Sequence, residues 1–210
     1  MLSSWGRPRP TPSLTGKTSH DYRKERFTLL LSAFNIRVTP TAMSKYLELY
    51  ERTLMDVLEL KSGVLSLFSL LQELGKKIVV ITEGPQDAQE RTIQALGIAD
   101  QIDYLATTNH FGVAKTTGLF SKVLAELSIA PGDVAYVGDS EKRDVIPAMA
   151  EGIFTIHLDE ARHISLSADP PRINALEKLG ARSPRQGFNR VGHTDLEPLF
   201  RSLTRPTEVT

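Results

Sequence analysis

The 210-residue chain contains no cysteine, which excludes a disulfide framework, a thiolate nucleophile and any cysteine-ligated zinc or iron–sulfur site. It has no excess of charge of either sign. Lys plus Arg and Asp plus Glu number 25 each, so 25 − 25 leaves zero and nothing in the balance draws the chain to nucleic acid or to a membrane surface. No apolar run approaches the roughly eighteen residues of a membrane-spanning helix, and the start lacks the apolar middle of a secretory signal. A soluble, cytoplasmic protein is expected. The histidines at 20, 110, 157, 163 and 193 show no i, i+4 pair of the kind that holds zinc on a helix, and they read as surface or strand-end residues. There is no G-x-S-x-G elbow, and Lys115-Thr116 is preceded by Ala114 and Asn109 where a P-loop would carry glycines, so triphosphate hydrolysis by that route is excluded.

What is present is a core. Apolar residues make up 40% of the chain, enough for one domain or one domain carrying an insertion. Residues 1–20 stand apart, with Arg7, Arg9, Lys17, Pro8, Pro10 and Pro12, many hydroxyl residues and no acid. They carry too little apolar surface to offset ordering entropy and read as a disordered tail, and their prolines break the amphipathic helix of a transit signal. From 21 to 61 the spacing predicts two facing helices: Phe27, Leu30, Leu31 and Phe34, then Met43, Tyr46, Leu47, Tyr50 and Leu54, with Thr39-Pro40 between them. Beyond Gly63 an α/β rhythm sets in. Strands are predicted at 78–81, 102–105, 134–137 and 153–156, and helices at 64–74, 86–96, 117–127 and 143–150, a pattern that implies a mostly parallel sheet with helices on both faces. Past Leu158 the signal weakens to one helix at 173–179 and a closing helix at 196–203.

In an open parallel sheet, ligands bind beyond the carboxyl ends of the strands. Three such ends carry chemistry. The first strand runs into Thr82-Glu83-Gly84-Pro85, a hydroxyl followed by a turn whose N–H groups can face an anion, or simply a cap for the next helix. The third runs into Gly138-Asp139-Ser140-Glu141-Lys142-Arg143-Asp144. Two carboxylates five apart there suit Mg²⁺, which accepts one or two protein carboxylates with water and phosphate oxygens, or else they cap the helix and complement its dipole. Between them Gly112-Val113-Ala114-Lys115 brings one ammonium to a loop, the charge a phosphoryl group needs, although most lysines are solvated.

Read in this order, strand-Thr, Gly-Val-Ala-Lys and apolar strand-Gly-Asp-Ser-x-x-x-Asp, the chain resembles the haloacid dehalogenase superfamily over about residues 21–158. The resemblance implies a Rossmann-like α/β core at 63–158, a helical cap at 21–62 and a C-terminal extension at 159–210 that completes the core. It implies that Thr82 and Glu83 bind phosphate with Lys115, that Lys115 also steadies the nucleophile, and that Asp139 and Asp144 bind Mg²⁺. The implied substrate is a small phosphorylated molecule, with halogenated molecules as the minority class. Nothing in the sequence sets an oligomeric state.

The family's aspartate nucleophile, at the end of a first core strand, has no counterpart here. No Asp precedes Asp21, whose neighbours do not resemble the nucleophile motif, and residues 1–20 contain no strand-like run. In the family's order that strand lies between those ending at Thr82 and Asp139, so its loss leaves two central edges to pair directly or to be filled otherwise. The expectation is a truncated chain in which residues 1–20 are aberrant sequence and Met1 is not the true start, or a non-catalytic relative that binds phosphate-bearing ligands or a partner.

Overall fold

The structure is a computed structural model describing residues 17–180. The expected helix at 196–203 and the tail at 1–16 lie outside them. The chain divides into two compact units.

The first unit takes the chain up to Leu60 and again from Val79 to Gly112. Helix α1 (Ser19–Ala33) begins two residues before the apolar pattern does. The reason is a reciprocal cap: the Asp21 carboxylate accepts from the Thr18 N–H at 2.8 Å while the Thr18 hydroxyl accepts from the Asp21 N–H at 3.3 Å, which satisfies two donors at the helix start. Ser19 is also buried, because its N–H and hydroxyl donate to the Asp87 carboxylate at 2.9 and 2.7 Å. Helix α2 (Pro40–Asp56) opens on Pro40 behind a Thr39 cap, as proline's missing N–H allows. The pair forms the expected hairpin, with Leu47 buried, the Phe27 and Tyr50 rings edge to face at 5.8 Å and Arg23 bonded to Glu51 at 2.8 Å. Leu30, Phe34, Tyr46 and Tyr50 depart from the expectation of a covered face and are exposed. Strand β1 (Val79–Thr82) and helix α4 (Gln86–Ala95) follow, with α3 reserved for the second unit by chain order. Strand β2 (Tyr104–Thr107) pairs in parallel with β1, Thr82 opposite Thr107. It lies two residues later than predicted because a tight turn at Ala99–Gln101 uses Ile98 and Ile102 as buried anchors.

The second unit takes Lys61 to Ile78 and the chain from Val113 onward. It contains α3 (Val64–Glu73), α6 (Leu119–Leu127), β3 (Ala135–Gly138), α7 (Ile146–Ala150), β4 (Phe154–Leu158), β5 (Arg172–Ile173) and α8 (Glu177–Gly180), while the short α5 (Thr108–Phe111) belongs to the first unit. Strands β3, β4 and β5 form a parallel sheet in that order. Ile156, Leu158 and Ile173 form its buried cluster, with Val137, Phe154, Leu166 and Leu176 packed against it. The predicted helix at 173–179 is therefore corrected. Arg172 and Ile173 pair with His157 and Leu158, since a β-branched residue gains more from the sheet core than from a helix start, and α8 begins only at Glu177.

All three strand pairs are parallel, which fixes an α/β fold. Among the described residues β1 has β2 as its sole ladder partner, and β3 has β4.

Candidate functional site

The second unit gathers Lys115, Tyr136 and Asp144. Strand alternation puts Ala135 and Val137 toward the apolar cluster and Tyr136 and Gly138 on the opposite face. The Tyr136 ring is held edge to face against buried Phe120 at 4.9 Å. After the strand, the Ser140 carbonyl accepts from the N–H groups of both Asp144 (2.8 Å) and Val145 (3.1 Å), forming a wide π-helical turn over Glu141–Val145. Such turns carry an extra residue and reorient side chains. This one brings Asp144 down over Gly138, where a β-carbon would overlap Asp144 and crowd the Tyr136 ring. Glycine is required there by space.

The Asp144 carboxylate accepts three hydrogen bonds. Oδ1 accepts from Lys115 Nζ at 2.5 Å and from the Tyr136 hydroxyl at 2.8 Å, and Oδ2 accepts from the Ser140 N–H at 3.1 Å. Lys115 Nζ also lies 3.3 Å from the Tyr136 oxygen. The Asp144 and Lys115 side chains are 7% and 12% exposed. Burial, the largest influence, pushes the Asp144 carboxyl up. The hydrogen bonds from Lys115 and Tyr136, the lysine charge and the Ser140 N–H outweigh it and hold the carboxyl below its usual range.

Asp139 has different surroundings. It lines an open cavity of about 440 Å³ together with Lys61, Glu141, His157, Asp159, Glu160 and Arg162, and its carbonyl oxygen lies 3.4 Å from His157 Nε2. Among the described residues no three ligating side chains are close enough to hold a metal alone. The oxygen donors beside Asp139 nonetheless suit Mg²⁺, which keeps most of its water and takes one or two carboxylates. Asp144 has Oδ1 engaged by Lys115 and Tyr136, while Oδ2 carries a single protein donor, the Ser140 N–H.

Thr82 and Glu83 belong to the first unit. The Thr82 hydroxyl donates to Gln89 Oε1 at 3.3 Å, the Glu83 carbonyl accepts from Gln89 Nε2 at 3.4 Å, and the Gly84 N–H donates to the Thr108 hydroxyl at 3.0 Å. Gly84 takes φ = 124°, a conformation that favours glycine. The turn is formed as its sequence predicts, with Gln89 and Thr108 serving its donors and acceptors.

Of the five site residues, Lys115 and Asp144 are thus in direct contact, Asp139 lines a cavity, and Thr82 and Glu83 sit on the strand-end turn of the other unit. Sequence reasoning missed Tyr136 and His157. Tyr136 was signalled by a hydroxyl-bearing ring within an otherwise apolar strand, and His157 by its place at the carboxyl end of β4, where it is buried.

The structure thus combines parallel α/β strands with a lysine paired to the second aspartate of Gly-Asp-Ser-x-x-x-Asp. Residues 15–158 match the family model for haloacid dehalogenase-like hydrolases, and the chain belongs to that family. It is 28% identical over 134 residues to the glyceraldehyde 3-phosphate phosphatase of Methanocaldococcus jannaschii, covering 62% of this chain and 54% of that one. It is 30% identical over 90 residues to the ribulose-1,5-bisphosphate 5-phosphatase of Halopiger xanaduensis, covering 42% and 38%. The chain therefore spans about half, or less, of the length of these curated relatives. In fold it is similar to the HAD-hydrolase YfnB of Bacillus subtilis, a structure bound to magnesium (TM-score 0.61, 20% identity, covering 81% of this chain and 74% of that one). It is similar also to a HAD phosphatase of Thermococcus onnurineus (TM-score 0.59, 22% identity, covering 74% and 69%). Among the described residues no helix is long and apolar enough to cross a membrane.

Proposed function

We propose that this chain carries the phosphate- and metal-binding part of a phosphatase for small phosphorylated metabolites. The observation that carries this reading is the buried Lys115–Asp144 pair at 2.5 Å, braced by Tyr136 and the Ser140 N–H. A lysine fixed so firmly is a preorganised positive charge, and a phosphoryl group gains more from such a charge than from a mobile one. Asp139 anchors Mg²⁺, which when bound offsets phosphate charge and polarises the P–O bond. Asp144 acts by holding Lys115 in place. Phosphate binding is assigned as well to Thr82 and Glu83, on the turn after β1 in the first unit.

Hydrolysis by an aspartyl-phosphate route needs a carboxylate nucleophile at a strand end, and no Asp-x-Asp or Asp-x-Thr stands before Asp21 in these residues. The 210-residue protein is accordingly proposed to bind phosphate esters in the cytoplasm without turning them over. The test is Mg²⁺-dependent release of phosphate from p-nitrophenyl phosphate, with Asp139→Ala as control, alongside calorimetric binding of inorganic phosphate. Equal background rates with phosphate binding that is lost in Lys115→Met support the reading. A rate well above the Asp139→Ala control refutes the absence of turnover, and phosphate binding indifferent to Lys115 refutes the site.

A further inference from the structure

The α1–α2 hairpin carries an apolar stripe that stands exposed among the described residues. Along α2, Tyr46, Leu49, Tyr50 and Val57 fall at i, i+3, i+4 and i+11, with Thr53 at i+7, which is one helical face beside the one that buries Leu47. The contacts Arg23–Glu51 and Phe27–Tyr50 show that α1 runs antiparallel to α2. Leu30 lies on the turn of α1 after Phe27, and Tyr46 on the turn of α2 before Tyr50, so Leu30 and Phe34 extend the stripe across the hairpin. These six apolar side chains are 46–69% exposed.

The exposure is at the upper end for the surface of a solvated monomer. With about 150–250 Å² for a free aromatic side chain and somewhat less for an aliphatic one, the six leave about 600 Å² of apolar surface on one side of the hairpin. That is the upper end of what monomers show in one patch, and a polar rim brings it near the roughly 800 Å² that each partner of a stable pair covers. The two helices carry five basic residues (Arg23, Lys24, Arg26, Lys45, Arg52) and five acidic ones (Asp21, Glu25, Glu48, Glu51, Asp56), so identical hairpins meet without net repulsion. We propose that the stripe is the docking surface for a second copy of this chain, the two hairpins pairing about a twofold axis as a four-helix bundle. The seam repeats at helical spacing over about three turns, and an identical hairpin presents the same seam in return.

The test uses the full chain and is independent of its chemistry. In sedimentation equilibrium the wild type is expected at twice the monomer mass, and Tyr46→Glu/Val57→Glu is expected to weaken the pairing by about 100-fold or more with helicity by circular dichroism unchanged. Because the chain has no cysteine, Thr53→Cys introduces a single thiol at the seam without adding charge, and a short bismaleimide is expected to link two copies through it. A wild type that stays monomeric at about 100 µM overturns the proposal. So does a dimer that neither responds to the glutamate substitutions nor cross-links at Thr53→Cys, and so does a monomer that dimerises only after residues 1–16 are removed, which would make that segment the occupant.

Discussion

Replacing Lys115 with methionine tests whether the Asp144 ion pair is as buried and as interdependent as its geometry indicates. Methionine keeps most of the side-chain volume, so packing changes little while the charge disappears. The carboxylate left behind is 7% exposed and retains only the Tyr136 hydroxyl and the Ser140 N–H. Removing one partner of a buried ion pair costs about 3–5 kcal/mol, and the two surviving hydrogen bonds place this case near the lower end, at about 3 kcal/mol. The pH dependence distinguishes that cause from a packing defect. In the wild type the folded Asp144 carboxyl lies below its unfolded value, so its contribution is present above the unfolded value of about 3.9 and is lost as pH falls through the lowered folded one. In Lys115→Met burial dominates and the folded carboxyl moves above the unfolded value, so the variant loses stability as pH rises through the new value. The gap between the two proteins should therefore be widest near pH 7 and shrink toward pH 4. Urea denaturation followed by circular dichroism at both pH values measures it. The double variant Lys115→Met/Asp144→Asn should recover much of the loss, because no bare charge remains. A loss below about 0.5 kcal/mol, or one that does not vary with pH, would refute the argument.

Three further outcomes follow from neighbouring contacts. Tyr136→Phe removes one hydrogen bond to a buried carboxylate and should cost about 1–2 kcal/mol while raising the Asp144 carboxyl, read by ¹³C chemical-shift titration of the aspartates. Gly138→Ala puts a β-carbon against Asp144 and the Tyr136 ring and should cost about 1–3 kcal/mol in the urea midpoint, with the larger loss expected because Asp144 is pinned from three sides. In the other unit, Asp87→Asn should weaken the start of α1, since that carboxylate accepts from both the N–H and the hydroxyl of Ser19. Burial pushes Asp87 up, but the Ser19 bonds and the Arg91 charge hold it below its usual range, so the loss should be seen above about pH 4 and fade as pH falls through its lowered value, in thermal melts compared with wild type.

Where one residue pattern sufficed, the sequence was a good guide. Thr39-Pro40 marked the hairpin turn, and the apolar runs at 78–81 and 134–137 marked strands β1 and β3, because a buried parallel strand leaves an uninterrupted β-branched signature. Long-range partners decided the rest. Ser19 looked like part of a polar tail and is buried only because Asp87, 68 residues on, accepts from it. Arg172–Ile173 carried a helical pattern and became a strand because β4 offered an open ladder. Leu30 and Phe34 had the periodicity of a covered face, but periodicity says which residues share a face and not whether anything meets it. In the site, the spacing of Asp139 and Asp144 suggested one shared ion. The wide turn after Ser140, which brings Asp144 onto Lys115, depends on a backbone hydrogen bond that no spacing reveals.

The Lys115–Asp144 pair has an electrostatic consequence for the phosphate binding proposed above. The two charges cancel each other, so in that reading Lys115 brings a positive group to a phosphate without bringing net positive charge. The cavity beside Asp139 adds Glu141, Asp159 and Glu160 against Lys61 and Arg162, and of the two cations Lys61 is tied to Glu160 at 2.5 Å and Arg162 to Asp159 at 3.2 Å. Four carboxylates against two cations leave about two negative charges in a cavity only partly open to screening, and a phosphate dianion entering it meets repulsion of about 1 kcal/mol per charge pair at 4 Å in water and about 4 kcal/mol in a protein-surface medium. A divalent cation on Asp139, as proposed above, would cancel those two charges. Phosphate binding should therefore be undetectable by calorimetry in the presence of a chelator and should appear on adding Mg²⁺, whereas Asp139→Asn should weaken Mg²⁺ binding and phosphate binding together. Phosphate that binds equally well with and without Mg²⁺ would show that the Lys115 charge is available outside its pair, contrary to the geometry.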